Sequence, residues 1–321
     1  MTVNMALLSR PMPGTLPMTF KMLVAILIPS ILITVLAGPS ASMGFGLAMG
    51  LGMAVTPVSK PQQAGVLIFI AAVLGSLASL AGSTPWAVAL LILLSALLFA
   101  ASNRRSAGLL SLTPIIVILF GPGAVDLSWW EAGLWVIAGG VVGGLVTKIL
   151  KLQAPVRPVN TFIAWEHGIT VGVLCAAVMY WTLASSIPHG YWIAVTVLMA
   201  LRPLPEERRD TLNGRLVGTF LGAIIALLAV VFLPVWGALI VAALSMFFLI
   251  WYTLGGAYIM QALTLTPMLL IFSSLGDYNL GLELTVERVG FTIVGIAAAI
   301  VVALILRSWE QRRQGRKGLA A

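Results

Sequence analysis

Long apolar runs make up most of this chain, and short segments rich in Gly, Pro, Ser or charge separate them. A helix needs roughly 20 apolar residues to cross a bilayer, and runs close to that length show no alternation of polar and apolar positions here. Length and pattern therefore favour transmembrane helices over the strands of a barrel. The runs predict about twelve such helices, at residues 20–37, 41–57, 64–82, 85–101, 106–122, 131–150, 163–184, 189–203, 214–233, 236–252, 255–275 and 286–307.

Composition narrows the class further. Of the 321 residues, 60% are hydrophobic and only 9% are charged, which leaves too little polar surface to cover a water-soluble domain. The single cysteine, Cys175, excludes disulfides within the chain and cysteine-based metal clusters. No Gly-rich phosphate-binding loop and no nucleophile–base pair at recognisable spacing occurs. The sequence therefore predicts an all-α, polytopic membrane protein that is not an enzyme and holds no cofactor or metal.

Basic residues collect on one side of the predicted membrane. Of the 18 lysines and arginines, all except Arg288 lie in the tails and connections on the same side as the N-terminus or at the helix ends beside them. Cytoplasmic segments are enriched in basic residues, so both termini are predicted to be cytoplasmic. The net charge of +8 thus reflects topology and contact with membrane lipids, and it gives no reason to expect nucleic acid.

The two halves of the chain look like a repeat. An offset of 153 residues places Leu112-Thr113-Pro114 on Leu265-Thr266-Pro267 and Gly65 on Gly218. Each half holds six predicted helices, an even number, so the copies enter the membrane from the same face and the repeat is parallel. The predicted organisation is a cytoplasmic N-terminal segment (1–19), a first half (20–150), a cytoplasmic linker (151–162), a second half (163–308) and a basic cytoplasmic tail (309–321).

Interrupted helices at matching places in the two halves indicate a binding site in repeat-built transporters. The second helix of each half is short, and the fifth carries a Thr-Pro pair. Proline removes a backbone donor and frees a carbonyl group, so Thr113 with Pro114 and Thr266 with Pro267 are predicted to frame a substrate path. An ordinary helix kink is the alternative.

The stretch from 187 to 222, IPHGYWIAVTVLMALRPLPEERRDTLNGRLVGTFLG, resembles the core motif of the fusaric acid resistance-like family, which includes bacterial aromatic acid exporters. The matching residues are His189, Tyr191, Trp192, Pro203, Arg215, Gly218, Thr219 and Gly222. A similar pattern occurs in the aluminium-activated malate transporters of plants, which are anion channels. The resemblance covers 165–308 and is weak in the first half, where Gln62 replaces Arg215 under the offset. Only a short linker stands where familiar exporters carry a large cytoplasmic domain.

The resemblance implies a multi-pass protein of the bacterial cytoplasmic (inner) membrane and a periplasmic membrane-fusion adaptor as partner. It directs attention to Arg215, which is predicted to begin a helix at the cytoplasmic side and whose planar fork suits a carboxylate. Thr219 follows on the same helix, and Gly218 and Gly222 permit close helix contact. The alternative for Arg215 is a headgroup anchor that snorkels to the lipid surface.

Other polar residues are candidates for coupling or recognition. Glu166 and His167 lie about one turn into a predicted helix, where ionisable groups are costly, and they are the predicted proton-coupling pair. A helix-end carboxylate beside an interfacial histidine is the alternative. Tyr191 and Trp192 fit either an aromatic belt or stacking on an aromatic substrate. Glu287 and Arg288 are interpreted as a structural charge pair, with a gate as the alternative.

These features predict a secondary transporter that exports small organic anions, in particular aromatic carboxylates, in exchange for protons. A passive anion channel is the second hypothesis. The third is a non-catalytic membrane subunit of an adaptor-dependent efflux assembly. The Gly-rich helix faces also leave room for a homodimer.

Overall fold

The computed structural model describes residues 14–122, 125–154, 156–255, 258–273 and 278–318. Within these ranges the chain forms α-helices and one 3-10 turn, with no strand. The all-helical prediction is therefore confirmed for the described part. The helices are α1 (Leu16–Val55), α2 (Pro61–Ala81), α3 (Pro85–Asn103), α4 (Leu112–Phe120), α5 (Trp129–Ile149), α6 (Thr161–Ala184), α7 (Tyr191–Ala200), α8 (Pro205–Phe232), α9 (Val235–Gly255), α10 (Tyr258–Ser273) and α11 (Tyr278–Gly318).

Eight helices in the described ranges are long and apolar enough to cross a membrane: α1, α2, α3, α5, α6, α8, α9 and α11. The predicted count of twelve spans is not confirmed. Helix α4 has only 9 residues, α7 has 10 and α10 has 16. At about 1.5 Å per residue, α7 rises roughly 15 Å, which is half of the ~30 Å hydrocarbon core.

The predicted runs 20–37 and 41–57 both lie in α1, which consists of two helical segments that meet at a non-helical kink at Gly38. Gly38 has φ 88° and ψ 172°, a conformation that essentially only glycine adopts. The following residue is Pro39, which disfavours helical geometry in the residue before it. Across the kink, the Ser42 hydroxyl donates a hydrogen bond to the Ser30 carbonyl oxygen at 3.0 Å.

The prediction of a helix over 106–122 was wrong for its first third, because a turn precedes α4. The Gly108 N–H donates to Oδ1 of Asn103 at 2.8 Å, and Gly108 takes a φ of 79°. The linker is held against this turn. The Ala107 N–H donates to the Arg157 carbonyl oxygen at 2.8 Å, and the Val159 N–H donates to that of Asn103 at 3.0 Å.

The prediction that the helix carrying Arg215 begins at 214 was also wrong, because α8 begins at Pro205. Proline is favoured in the first turn of a helix, where its missing N–H has no intrahelical partner to lose. The helical backbone therefore runs through 206–210, and the side chains of 205–210 lie outside the described residues. Arg215 thus lies well inside α8 rather than at its start.

Close helix contacts are made where glycine lies in the interface. Helix α1 packs on α5 at Gly52, Gly139 and Gly143, and α3 packs on α6 at Gly168 and Gly172. Small residues let helix backbones approach in this way in membranes. The largest buried apolar cluster draws residues from α1 through α7 and from Ala299, Val302 and Leu306 of α11. The two predicted halves therefore share one core.

Most of the predicted N-terminal segment, residues 1–13, lies outside the described residues, as do 319–321 of the predicted tail. The backbone of α11 continues beyond the predicted boundary at 308 as far as Gly318. Side chains in 309–318 are not among those described.

Candidate anion-binding site

Helices α7, α8 and α11 meet in the second half of the chain, and α11 packs against both of the others. Each contributes polar or aromatic residues to the contact. Trp192 lies in the first turn of α7, Arg215 lies in α8 and Arg288 lies in α11. Arg215 is 1% exposed and Arg288 is 2% exposed, so both guanidinium groups lie inside the protein.

Arg288 stacks on Trp192. The guanidinium carbon lies 3.6 Å from the centroid of the indole ring, well within cation–π distance. Tyr191 packs beside the indole at 5.1 Å between ring centroids. Trp192, one of the two aromatic residues predicted to stack on a substrate, thus stacks on an arginine in this structure.

Arg215 and Arg288 are both buried, on helices α8 and α11, which pack against each other. Their predicted location on opposite sides of the membrane stays a prediction. Burial of Arg215 also argues against the headgroup-anchor alternative, since a snorkelling side chain keeps its charge at the surface.

Neither arginine has a full set of partners. Nε and Nη2 of Arg215, and Nη1 of Arg288, are buried and make no hydrogen bond among the described residues. Buried charges are normally paired or hydrogen-bonded, because desolvation costs several kcal/mol per ion. An arginine remains charged, so this group of donors is suited to an anion.

Glu287 pairs with His189 rather than with Arg288. Its Oε2 lies 2.7 Å from Nδ1 of His189, which has a left-handed backbone at φ 52° just before α7. Neighbouring helical residues point in directions about 100° apart, so Glu287 and Arg288 face different partners. The interpretation of these two as a charge pair with each other was therefore wrong.

Two cavities meet at His189 and Tyr191. One of about 380 Å³ is also lined by Met179, Thr182 and Pro188. The other, of about 260 Å³, is lined by His189, Tyr191, Trp192, Leu269, Leu270, Leu284 and Arg288. The second cavity combines apolar walls with a buried cation, which is the general make-up of a small-molecule site.

Buried hydroxyl groups lie one helical turn beyond the arginines and Trp192. The Oγ1 atoms of Thr219, Thr292 and Thr196 are buried without a hydrogen-bond partner among the described residues. Thr219 follows Arg215 by four residues, Thr292 follows Arg288 by four and Thr196 follows Trp192 by four, the spacing that places side chains on one helix face. Thr219 and Thr292 border a common cavity of about 190 Å³ between α8 and α11.

Helix α10 packs tightly on α8 at the predicted structural glycines. A methyl group at Gly218 would lie 2.6 Å from the Ile259 carbonyl oxygen, and one at Gly222 would lie 2.6 Å from that of Leu263. Pro267 has no N–H to offer Leu263, so this carbonyl, freed from the helix ladder, faces Gly222 instead. Thr266 donates its hydroxyl to the Ala262 carbonyl oxygen at 2.9 Å.

Thr113 and Pro114 lie in a different setting from Thr266 and Pro267. Pro114 is in the first turn of α4, where an N–H has no intrahelical partner, whereas Pro267 is inside α10. Thr113 is fully buried and its Oγ1 lacks a partner among the described residues. It lines none of the three cavities above.

Glu166 and His167 lie in α6, which packs against α3. His167 is 1% exposed and meets Phe99 edge-on at 5.8 Å between ring centroids. Glu166 is half-buried. The structure therefore places His167 at the α3–α6 contact, whereas His189, the partner of Glu287, lines a cavity together with Arg288.

The roles of Arg288, Glu287, His189 and Thr292 were missed or misread from the sequence. The sequence contained part of the signal. Arg288 was the single basic residue on its predicted side of the membrane. Thr292 follows Arg288 by four positions, just as Thr219 follows Arg215. No group of three His, Cys, Asp or Glu side chains arranged for a metal occurs within the described ranges.

Comparison with known proteins places the site within a matched region. Residues 174–302 match the family described as "Fusaric acid resistance protein-like". Over 131 residues the chain is 31% identical to the inner membrane protein YccS of Escherichia coli (strain K12), a stretch that covers 40% of this chain and 18% of that relative. No solved structure matches the chain.

The matched region contains α7, α8 and α10 and all of the residues around Arg215 and Arg288. The resemblance that the sequence suggested from 187–222 is thereby confirmed. Over residues 174–302, this membrane protein is therefore similar to the family described as fusaric acid resistance protein-like.

Proposed function

We propose that this protein is a secondary transporter that exports small organic anions, in particular aromatic carboxylates, across the bacterial inner membrane in exchange for protons. The observation that carries the proposal is Arg215, a guanidinium group that is 1% exposed and has two nitrogens without a hydrogen-bond partner among the described residues. The proposal assigns transport and no catalysed reaction.

The cost of burying the charge of Arg215 supports a functional role for this residue. An ionisable group within a membrane domain is expensive and marks ion or substrate pathways by default. Arginine cannot escape the cost by losing its proton, and its planar fork matches a carboxylate. Thr219, one turn away on α8, adds a hydroxyl donor to the same face. Tyr191, Trp192 and Thr266 complete the proposed substrate-binding set in the second half, and Thr113 is its proposed counterpart in the first.

A parallel two-half architecture with cytoplasmic termini is part of the proposal. Helix pairings correspond under the 153-residue offset: α2 packs on α5 as α8 packs on α11, and α3 packs on α4 as α9 packs on α10. The first helix of each half packs against a helix of the other half: α1 packs on α9, and α6 packs on α3. These pairings support the division into 1–19, 20–150, 151–162, 163–308 and 309–321. The inner-membrane location is supported by the relative YccS, named as an inner membrane protein.

We propose that Glu166 and His167 couple transport to protons, because Glu166 is half-buried and His167 is buried in a helix long enough to span the membrane. A half-buried carboxyl group and a buried imidazole are suited to loading and releasing protons. We further propose a periplasmic adaptor as a partner and a homodimer as the assembled form. Both concern the whole protein, and the chain spans 18% of the length of its curated relative.

Reconstituted transport tests the proposal. Proteoliposomes are loaded with benzoate, salicylate or succinate, and efflux is followed with and without an imposed pH gradient. We expect uphill efflux in the wild type, loss of flux in Arg215→Gln, and downhill flux without uphill flux in Glu166→Gln. Arg104→Gln, which removes an exposed arginine of the first half, serves as the control.

Each contrary outcome has a distinct meaning. Flux that runs only downhill in the wild type and is indifferent to Glu166 would replace the exporter with a passive channel. Flux that survives in Arg215→Gln would remove Arg215 from the path. Absence of flux in the wild type would reject autonomous transport and favour an adaptor-dependent subunit.

A further inference from the structure

We propose that Arg288 is a second anion-binding residue, held in position by the face of Trp192, and that it binds the carboxylate group of an organic anion in the cavity beside it. The inference rests on the proposed function, because it assumes that the second half binds an organic anion. It adds the residue that completes the site and the residue that positions it.

Arg288 is a buried charge in the packed contact of α11 with α7 and α8. The carboxylate nearest in sequence, Glu287, is engaged with His189 at 2.7 Å. A buried cation whose neighbouring carboxylate is engaged elsewhere is suited to bind an anion.

Trp192 sets the orientation of the Arg288 guanidinium group. The indole of Trp192 covers one flat face of the Arg288 guanidinium at 3.6 Å, so the donors at its edge remain available. Nη1 is one such donor, and it is buried without a partner among the described residues. Stacking on an aromatic face fixes the plane of the fork before a ligand arrives, which reduces the entropy lost on binding.

The cavity gives the class of ligand. Leu269, Leu270 and Leu284 form apolar walls of the 260 Å³ cavity beside Arg288 and Trp192. Its volume is slightly below the range of about 300–1,000 Å³ for drug-sized ligands, so it suits a small acid. Apolar walls beside one cation favour an organic monocarboxylate over an inorganic anion, because the hydrocarbon part is desolvated favourably.

Equilibrium binding tests the inference without requiring transport. The purified full chain in detergent is titrated with benzoate, chloride and the neutral analogue benzamide, by calorimetry and by thermal shift. The variants are Arg288→Gln, Arg288→Lys, Trp192→Phe and Trp192→Leu. Arg202→Gln is the matched control, because its guanidinium lies 5.4 Å from the Tyr258 ring centroid and lines none of the three second-half cavities above.

We expect benzoate to bind the wild type more tightly than chloride, and benzamide not to bind. Arg288→Gln should weaken benzoate binding at least about tenfold, and Arg288→Lys should restore part of it, since lysine keeps the charge without the planar fork. Trp192→Leu should weaken binding more than Trp192→Phe, which keeps an aromatic face. Arg202→Gln should bind as the wild type does.

A second readout separates binding from a structural role. Without ligand, Arg288→Gln should melt at a higher temperature than the wild type, because it removes a buried charge. A lower melting temperature with unchanged benzoate affinity would show that Arg288 only supports the fold and would overturn the inference.

The inference fails separately from the proposed function. If Arg215→Gln loses benzoate binding while Arg288→Gln keeps it, the role of Arg288 is rejected and Arg215 stands. If Arg288→Gln loses benzoate binding, whether or not Arg215→Gln also does, the role of Arg288 is supported. If the wild type binds no benzoate, the inference is rejected together with the substrate class.

Discussion

Nδ1 of His189 lies 2.7 Å from Oε2 of Glu287, and this contact joins the turn before α7 to α11 across 98 residues of sequence. It fixes the short helix that carries Tyr191 and Trp192 relative to the helix that carries Arg288. The contact also engages the carboxylate of Glu287, which is the one closest in sequence to Arg288. The pair therefore determines both the position and the net charge of the proposed anion site.

We predict that Glu287→Gln tightens anion binding. The amide keeps a hydrogen-bonding group for His189 but removes a negative charge that lies close to Arg288, so the local potential becomes more positive. Benzoate affinity should rise about threefold to tenfold, the size expected for one charge at short range in a partly polar interior. Calorimetric titration at neutral pH measures the change.

Glu283→Gln is the control for this prediction. Glu283 is an exposed carboxylate one turn earlier on α11, so its removal should leave benzoate affinity within about twofold. Equal effects of the two substitutions, or weaker binding in Glu287→Gln, would contradict a local electrostatic role for Glu287.

We predict that Gly218→Ala destabilises the protein and that Gly65→Ala does not. The added methyl at Gly218 would lie 2.6 Å from the Ile259 carbonyl oxygen and 2.8 Å from Cβ of Ala262, forcing α8 and α10 apart. Overpacking of this kind costs about 1–3 kcal/mol. Gly65, its counterpart under the 153-residue offset, has no atom within 4 Å of such a methyl, so alanine should stabilise α2 slightly. Thermal unfolding in detergent gives the comparison, and equal melting temperatures would show that the α8–α10 contact is looser than described.

We predict opposite sensitivity at the two Thr-Pro pairs. Pro267→Ala supplies an N–H to the Leu263 carbonyl inside α10, a gain of up to ~3 kcal/mol that is partly offset by the loss of about two buried methylenes. The net gain should be about 1 kcal/mol. Pro114→Ala should change the stability by less than about 0.5 kcal/mol, because Pro114 lies in the first turn of α4. Unfolding transitions of the two variants decide the matter, and a larger gain at Pro114 would refute the assignment.

We predict that Gly38→Ala is costly. An alanine at φ 88° and ψ 172° is strained by about 1–3 kcal/mol, so the variant should melt lower or straighten α1. Gly46→Ala, in the same helix with helical geometry and open space around a methyl, is the control and should be neutral or slightly stabilising. Similar stability of the two variants would mean that the kink at Gly38 is not required by the fold.

The amino-acid sequence alone was sufficient to predict a membrane protein built from α-helices. Apolar runs separated by Gly and Pro give membrane helices whatever their packing, because a backbone in lipid must satisfy its own hydrogen bonds. The stretch from His189 to Gly222 was sufficient for the family resemblance. Arg215 could likewise be singled out, because a guanidinium beside apolar residues is costly in any arrangement.

The tertiary structure decided which polar residues meet. Stacking of Arg288 on Trp192 and pairing of His189 with Glu287 join α11 to α7 and to the turn before it. In uniformly apolar runs no periodicity marks the face that turns inward, so the sequence paired Glu287 with Arg288 instead. Whether a buried charge becomes part of a site depends on side chains from other helices, and helix packing alone sets that arrangement.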